Sequence, residues 1–85
     1  MNNNVVKTYN ELYKEPIRAN IKWNDIETML LAFGAVISEG SGSRVRVYLN
    51  GARAVFHRPH PENTTDKGAV KSVRQLLENA GVNLC

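Results

Sequence analysis

The feature of this sequence that most constrains its fold is Asn50-Gly51, which stands between two short runs of alternating apolar and polar residues. Asn-Gly in this setting is a strong signal for a two-residue type I′ hairpin turn, because both residues tolerate positive φ. A two-residue turn pairs the flanking residues symmetrically about it. It therefore predicts two antiparallel strands, Arg44–Leu49 and Ala52–His57, and the register between them.

This register divides the side chains of the hairpin between two faces. One face carries apolar side chains only: Val45, Val47, Leu49, Ala52, Ala54 and Phe56. The opposite face pairs Arg44 with His57, Arg46 with Val55, and Tyr48 with Arg53. Because side chains directly opposite each other have Cβ atoms about 5 Å apart, we expect the three arginines, the tyrosine and the histidine to form one cluster.

The spacing of apolar residues predicts the other elements. Helical stripes occur in residues 4–14, in a segment that begins at a capping Asn24 with Glu27 three residues later, and in residues 66–79. The last helix is expected to take Thr64 or Thr65 as its cap and Gly81 as its stop, with Arg74 and Glu78 paired on its outer side. Residues 35–39 read as a further strand. We divide the chain into an N-terminal helical extension, 1–18, and a single domain, 19–85.

Composition narrows the function classes. Eleven Lys and Arg against eight Asp and Glu give a net charge of +3, which is compatible with a polyanionic partner. No apolar run reaches the ~20 residues of a membrane span, and no apolar signal segment follows the first residues, so we expect a cytoplasmic protein. One cysteine and two histidines do not complete a zinc site without carboxylates. The loop 40–43 lacks the lysine of a phosphate-binding loop. We therefore expect neither metal nor cofactor.

After the first helix, the predicted order α-β-β-β-α with an antiparallel sheet is the layout of double-stranded-RNA-binding domains, an α+β fold class. Five features of the local sequence are more specific: Gly42-Ser43-Arg44 and the strand after it, the Asn50-Gly51 hairpin, a loop with proline and histidine, and two further segments, 67–73 and 76–82. Together they are similar to the HicA family of toxins. Members of this family are small ribonucleases that cleave messenger RNA in the absence of an antitoxin of the HicB type.

The resemblance departs from the family at one position. The family usually reads Gly-Ser-His, and that histidine is catalytic, whereas this chain has Arg44 there. A guanidinium stays protonated and does not serve as a general base. His57, predicted directly across from Arg44, offers a titratable group in almost the same space. We therefore expect His57 to move a proton, Arg44 and Arg46 to stabilise the developing charge, and His60 to be the second proton carrier if it reaches the same face.

The same residues lead us to expect RNA binding by Arg44, Arg46, Tyr48, Arg53, Lys67 and Lys71. Several of these residues also have an interpretation without a functional role. His57 would belong to a solvated cross-strand pair, His60 would be a loop residue, and the two lysines would lie on an ordinary solvated helix face. Two alternatives to the ribonuclease remain open. One is an RNA-binding module of the same fold that has lost catalysis, and the other is an interaction protein whose basic face meets an acidic partner.

Overall fold

A computed structural model describes residues 3–59 and 63–84, and within these ranges the chain forms three helices and three strands. In chain order they are α1 (Asn3–Leu12), α2 (Trp23–Ala32), β1 (Val36–Glu39), β2 (Arg44–Leu49), β3 (Ala52–His57) and α3 (Lys67–Ala80). After α1 the order is α-β-β-β-α. The predicted α+β fold class and layout are therefore confirmed.

The strands form one antiparallel sheet in the order β1-β2-β3. Asn50 and Gly51 both have positive φ, 49° and 84°, as a type I′ turn requires. All six predicted pairs between β2 and β3 are present, from Leu49 opposite Ala52 to Arg44 opposite His57. The hairpin turn thus sets the register of β3 against β2.

The core lies between one face of the sheet and the helices. Val45, Val47, Leu49 and Phe56 are buried against the helical residues, whose buried members include Trp23, Ile26, Met29, Leu30, Val70, Val73, Leu76 and Leu77. The six alternating apolar positions of the hairpin all point to the helical side, and among the described residues no helix lies over the opposite face of the sheet.

Helix α1 packs on α2 and α3 and contributes to the same core, with Val5 and Leu12 almost fully buried. Arg74 of α3 holds the end of this helix. Its guanidinium donates to the carbonyl oxygens of Leu12 and Lys14, forms an ion pair with Glu15 at 3.1 Å, and lies over the ring of Tyr13. The predicted outer pair of Arg74 with Glu78 is therefore wrong. The division into 1–18 and 19–85 stays a prediction.

Two helix caps differ from the prediction. Helix α2 begins two residues earlier than predicted, because Lys22 rather than Asn24 is its cap residue, and no side chain caps it. Glu27 pairs with Arg58 rather than closing a capping box with Asn24. Helix α3 is capped by Asp66, whereas Thr65 is buried and donates its hydroxyl to the carbonyl of Ile21. Glu27 and Thr65, which local spacing assigns to caps, instead contact residues that are distant in the sequence.

The cap of α3 gives a first stability prediction. The Asp66 carboxylate accepts the Ala69 N–H at 2.7 Å, and Asp66→Ala leaves that donor to water. We expect the free energy of unfolding to fall by about 1 kcal/mol. Urea denaturation followed by circular dichroism measures it. Asp66→Asn is the control, since asparagine caps equally well, and an equal loss in both variants would contradict the capping role.

Candidate nucleic-acid interface

The sheet face that carries no helix is the candidate site, and we refer to it as the open face. Strand alternation brings eight side chains to it: Val36, Ser38, Arg44, Arg46, Tyr48, Arg53, Val55 and His57. All are exposed except Ser38, which is half-buried. The five candidate residues predicted from the hairpin register are thus on one surface.

The pairing of β2 with β3 sets how close these side chains approach. The Arg58 N–H donates to the Ser43 carbonyl at 2.9 Å, so the next pair, Arg44 and His57, occupies a non-hydrogen-bonded position. In such positions opposite Cα atoms are about 4.5 Å apart and the side chains are closest. The guanidinium of Arg44 and the imidazole of His57 therefore project as neighbours, and the same holds for Tyr48 and Arg53.

The open face is strongly cationic. Arg44, Arg46 and Arg53 form none of the ion pairs found within residues 3–59 and 63–84, and no described Asp or Glu belongs to the eight residues of this face. A depression of about 320 Å³ lies among Arg46, Tyr48, Arg53 and Val55. Unpaired guanidinium groups around an exposed aromatic ring suit a ligand with phosphates and flat bases.

Apolar side chains add to this surface. Val36 is 63% exposed and Val55 is 58% exposed, and they flank the arginines on the two outer strands. The hairpin register places Val55 on this face, but no turn signal sets the register of β1 against β2, so the sequence does not place Val36 there. A mixed cationic and apolar face favours contact with a large partner over simple hydration.

A second hollow of about 240 Å³ lies where β3 meets the start of α3. Its lining includes Val55, Phe56 and His57 from the strand and Asp66, Ala69 and Ser72 from the helix. Trp23 also lines it, and the indole nitrogen of Trp23 is buried without a hydrogen-bond partner among the described residues. The hollow makes one side of His57 accessible from the edge of the sheet.

Arg58 is a residue that the sequence analysis missed. Its guanidinium forms ion pairs with Glu39 at 2.5 Å and with Glu27 at 3.3 Å, joining the ends of β1, β3 and helix α2. These two carboxylates accept hydrogen bonds from Arg58 and raise its pKa above the usual value. Arg58 thereby holds the end of β3 next to His57. The two partners lie 19 and 31 residues away in sequence, so no local pattern signals them.

The remaining predicted site residues lie elsewhere. Lys67 and Lys71 are exposed on α3, in the layer on the other side of the sheet from the open face. The start of α3 is near the His57 end of β3, as the shared hollow shows, so Lys67 is the closer of the two. His60 lies outside the described residues.

Residues 3–59 and 63–84 contain no group of three or more His, Cys, Asp or Glu side chains placed to hold a metal ion. None of the helices in this part of the chain has the length and apolar character needed to cross a membrane.

Comparison with known proteins identifies the family. Neither the curated proteins nor the solved structures give a match. A family model described as the HicA toxin of bacterial toxin–antitoxin matches residues 23–82, which span α2, the whole sheet and α3. The chain therefore belongs to the HicA toxin family, as its hairpin and C-terminal segments predicted, and is a toxin of a toxin–antitoxin system.

Proposed function

We propose that this chain cleaves messenger RNA at the open face by transesterification without a metal ion. One observation carries the proposal: His57 and Arg44 are opposite each other in a non-hydrogen-bonded position of the β2–β3 pair, and both are exposed. A proton carrier and a permanent positive charge are thus adjacent on a surface that RNA can reach. Arg44 occupies the position where the family usually has its histidine.

The chemistry needs three contributions. A base removes the proton of the ribose 2′-hydroxyl, whose oxygen attacks the adjacent phosphorus and breaks its bond to the 5′-oxygen. An acid protonates that leaving oxygen, and positive charge stabilises the phosphorane between the two steps. His57 supplies one of the proton transfers, and Arg44 and Arg46 supply the charge. The products are a 2′,3′-cyclic phosphate and a free 5′-hydroxyl. We assign the other proton transfer to His60.

The rest of the open face suits single-stranded RNA. Arg53 and Arg46 border a depression of about 320 Å³ beside the exposed ring of Tyr48, on which a base can stack. The exposed valines of the outer strands extend this platform. Lys67 and Lys71, on the opposite layer, are proposed to attract the RNA backbone outside the cleavage site.

A toxin of this kind acts on messenger RNA in the cytoplasm and requires a neutralising partner. We assign this role to a protein antitoxin of the HicB type that covers the open face. Carboxylates are the groups expected to meet the arginines, because they accept two parallel hydrogen bonds from a guanidinium.

Induction of the wild-type chain in a bacterial host tests the proposal. Growth is expected to stop and messenger RNA to break down, and the purified chain is expected to cut a mixed-sequence RNA in the presence of EDTA. Mapping of the product ends should find 2′,3′-cyclic phosphates. Intact growth and intact RNA, together with measurable RNA binding, would instead favour the non-catalytic RNA-binding module, in which Arg44 marks the loss of the family's chemistry.

RNA binding gives a prediction of its own. In a His57→Ala background that prevents cleavage, Arg46→Ala and Arg53→Ala should each weaken binding to a single-stranded RNA. Each should also lower the slope of log affinity against log salt by about 0.7, the contribution of one phosphate contact in single strands. Fluorescence anisotropy at several salt concentrations measures both quantities. Lys7→Ala is the control, because it removes a charge from α1 on the helical side. A loss as large in the control would show that only net charge matters.

A further inference from the structure

The outer edge of β3 is a second binding feature, separate from the open face. β3 is an edge strand, because the sheet order is β1-β2-β3. Ser43 and Arg58 are joined by a backbone hydrogen bond, and the alternation of the ladder then gives Phe56, Ala54 and Ala52 the bonds to β2. The N–H and C=O groups of Arg53, Val55 and His57 therefore point away from the sheet.

No backbone hydrogen bond within the described ranges uses these outward groups. Free edges of this kind pair readily with another chain, and proteins usually shorten, bend or cover them. The other edge strand, β1, has only four residues, whereas β3 has six and contains neither proline nor bulge. Beside β3 runs the hollow of about 240 Å³, which α3 borders with Ala69 and Ser72. A strand edge next to a helix in this way leaves room for one additional extended segment.

Charge distinguishes the possible occupants. An antiparallel second copy centred on Val55 would set Arg53 opposite His57 of its neighbour and would bring the arginines of two open faces onto one surface, where their like charges repel each other. RNA lacks the alternating N–H and C=O groups that a strand edge requires. An extended peptide with acidic side chains on the open-face side meets the guanidinium of Arg53 with opposite charge, and small apolar side chains on its other side enter the hollow beside Ala69 and Ser72.

We infer that an extended acidic segment of a protein partner adds to the outer edge of β3 as a fourth strand. The inference rests on the proposed function in one respect only, the identity of that partner as the antitoxin. A strand in this position lies directly alongside His57. It therefore covers one side of the proposed catalytic residue with peptide backbone, and inhibition follows from exclusion of RNA rather than from any change in the sheet.

A displayed library of random ten-residue peptides is the probe for this site. Peptides selected on the wild-type chain should carry Asp or Glu at alternate positions. Val55→Pro should weaken their binding at least tenfold, because it removes an outward N–H and blocks the edge. Proline is tolerated on an edge strand where its nitrogen faces outward. Val55→Thr keeps the N–H and is the matched control, with binding expected within twofold of wild type.

Methylation of the peptide nitrogen provides a test that does not depend on the fold of the variant. N-methyl groups at the peptide positions that face β3 should abolish binding to the wild-type chain, and those at the intervening positions should not. Equal binding of Val55→Pro and wild type, or a library that yields no acidic alternating peptide, would overturn the inference. The inference would also be overturned if no peptide were selected and Val55→Pro weakened the binding of an oligouridylate of ten nucleotides. None of these outcomes depends on RNA cleavage, which tests the proposed function separately.

Discussion

His57→Ala is expected to lower the rate of RNA cleavage by about a hundred- to ten-thousand-fold, the range for the loss of a positioned acid or base. The imidazole is exposed at the end of β3, so its removal leaves the core intact. Cleavage of a labelled RNA in EDTA by wild type and variant measures the effect, with circular dichroism to show equal folding. Growth after induction gives the corresponding result in cells.

Two further variants separate the roles on this face. Arg44→Ala should lower cleavage by about a hundred- to a thousand-fold if its charge stabilises the phosphorane, whereas Ser38→Ala, on the same face without charge, should have little effect. His60→Ala tests the second proton carrier. Undiminished cleavage by His57→Ala would reject the assignment of catalysis to the Arg44–His57 pair.

Leu12→Ala is expected to destabilise the protein by about 2–5 kcal/mol, the range for a leucine cut to alanine in a core. Leu12 is fully buried although it belongs to the N-terminal helix, where it lies in the same core as α2 and α3. Urea denaturation measures the change in the free energy of unfolding, provided that its slope against urea concentration is the same in wild type and variant. Val6→Ala on the same helix is the matched control, because Val6 is partly exposed, and we expect a change of less than about 0.5 kcal/mol.

The comparison of these two variants also tests the division of the chain. A cost for Leu12→Ala no larger than that for Val6→Ala would make α1 a dispensable extension, in keeping with a domain of residues 19–85. The large expected difference would instead make α1 part of the folding unit. The contacts of Arg74 with Leu12 and Lys14 support the second result, since they join α3 to the end of α1.

Local sequence information predicted the sheet and the candidate site that lies on it. The turn at Asn50-Gly51 needs positive φ at both residues, and strand side chains alternate with a period of two. These two local rules were sufficient to place Arg44 opposite His57 and Tyr48 opposite Arg53. The apolar faces of the hairpin and helices likewise follow from periodicity, because a stripe of apolar residues must be buried somewhere.

Local rules did not predict the partners of the long charged side chains. The spacing in α3 predicted an ion pair between Arg74 and Glu78, and the spacing in α2 predicted a capping box between Asn24 and Glu27. In the folded chain Arg74 reaches the carbonyls at the end of α1, and Glu27 reaches Arg58. A flexible side chain binds whichever partner the fold brings within reach, and these partners are 31 residues or more distant in sequence.

The sequence by itself determined the elements, the register of β3 against β2 and the cluster of cations, because backbone dihedral preferences and side-chain alternation act within a few residues. Only the tertiary structure decided that α1 joins the core, that Arg58 ties β3 to β1 and α2, and that a hollow runs beside the edge of β3, which no described backbone group pairs with. These features depend on how helices pack over one face of the sheet. That packing is the sum of many weak contacts between distant residues, which no short segment of the chain specifies.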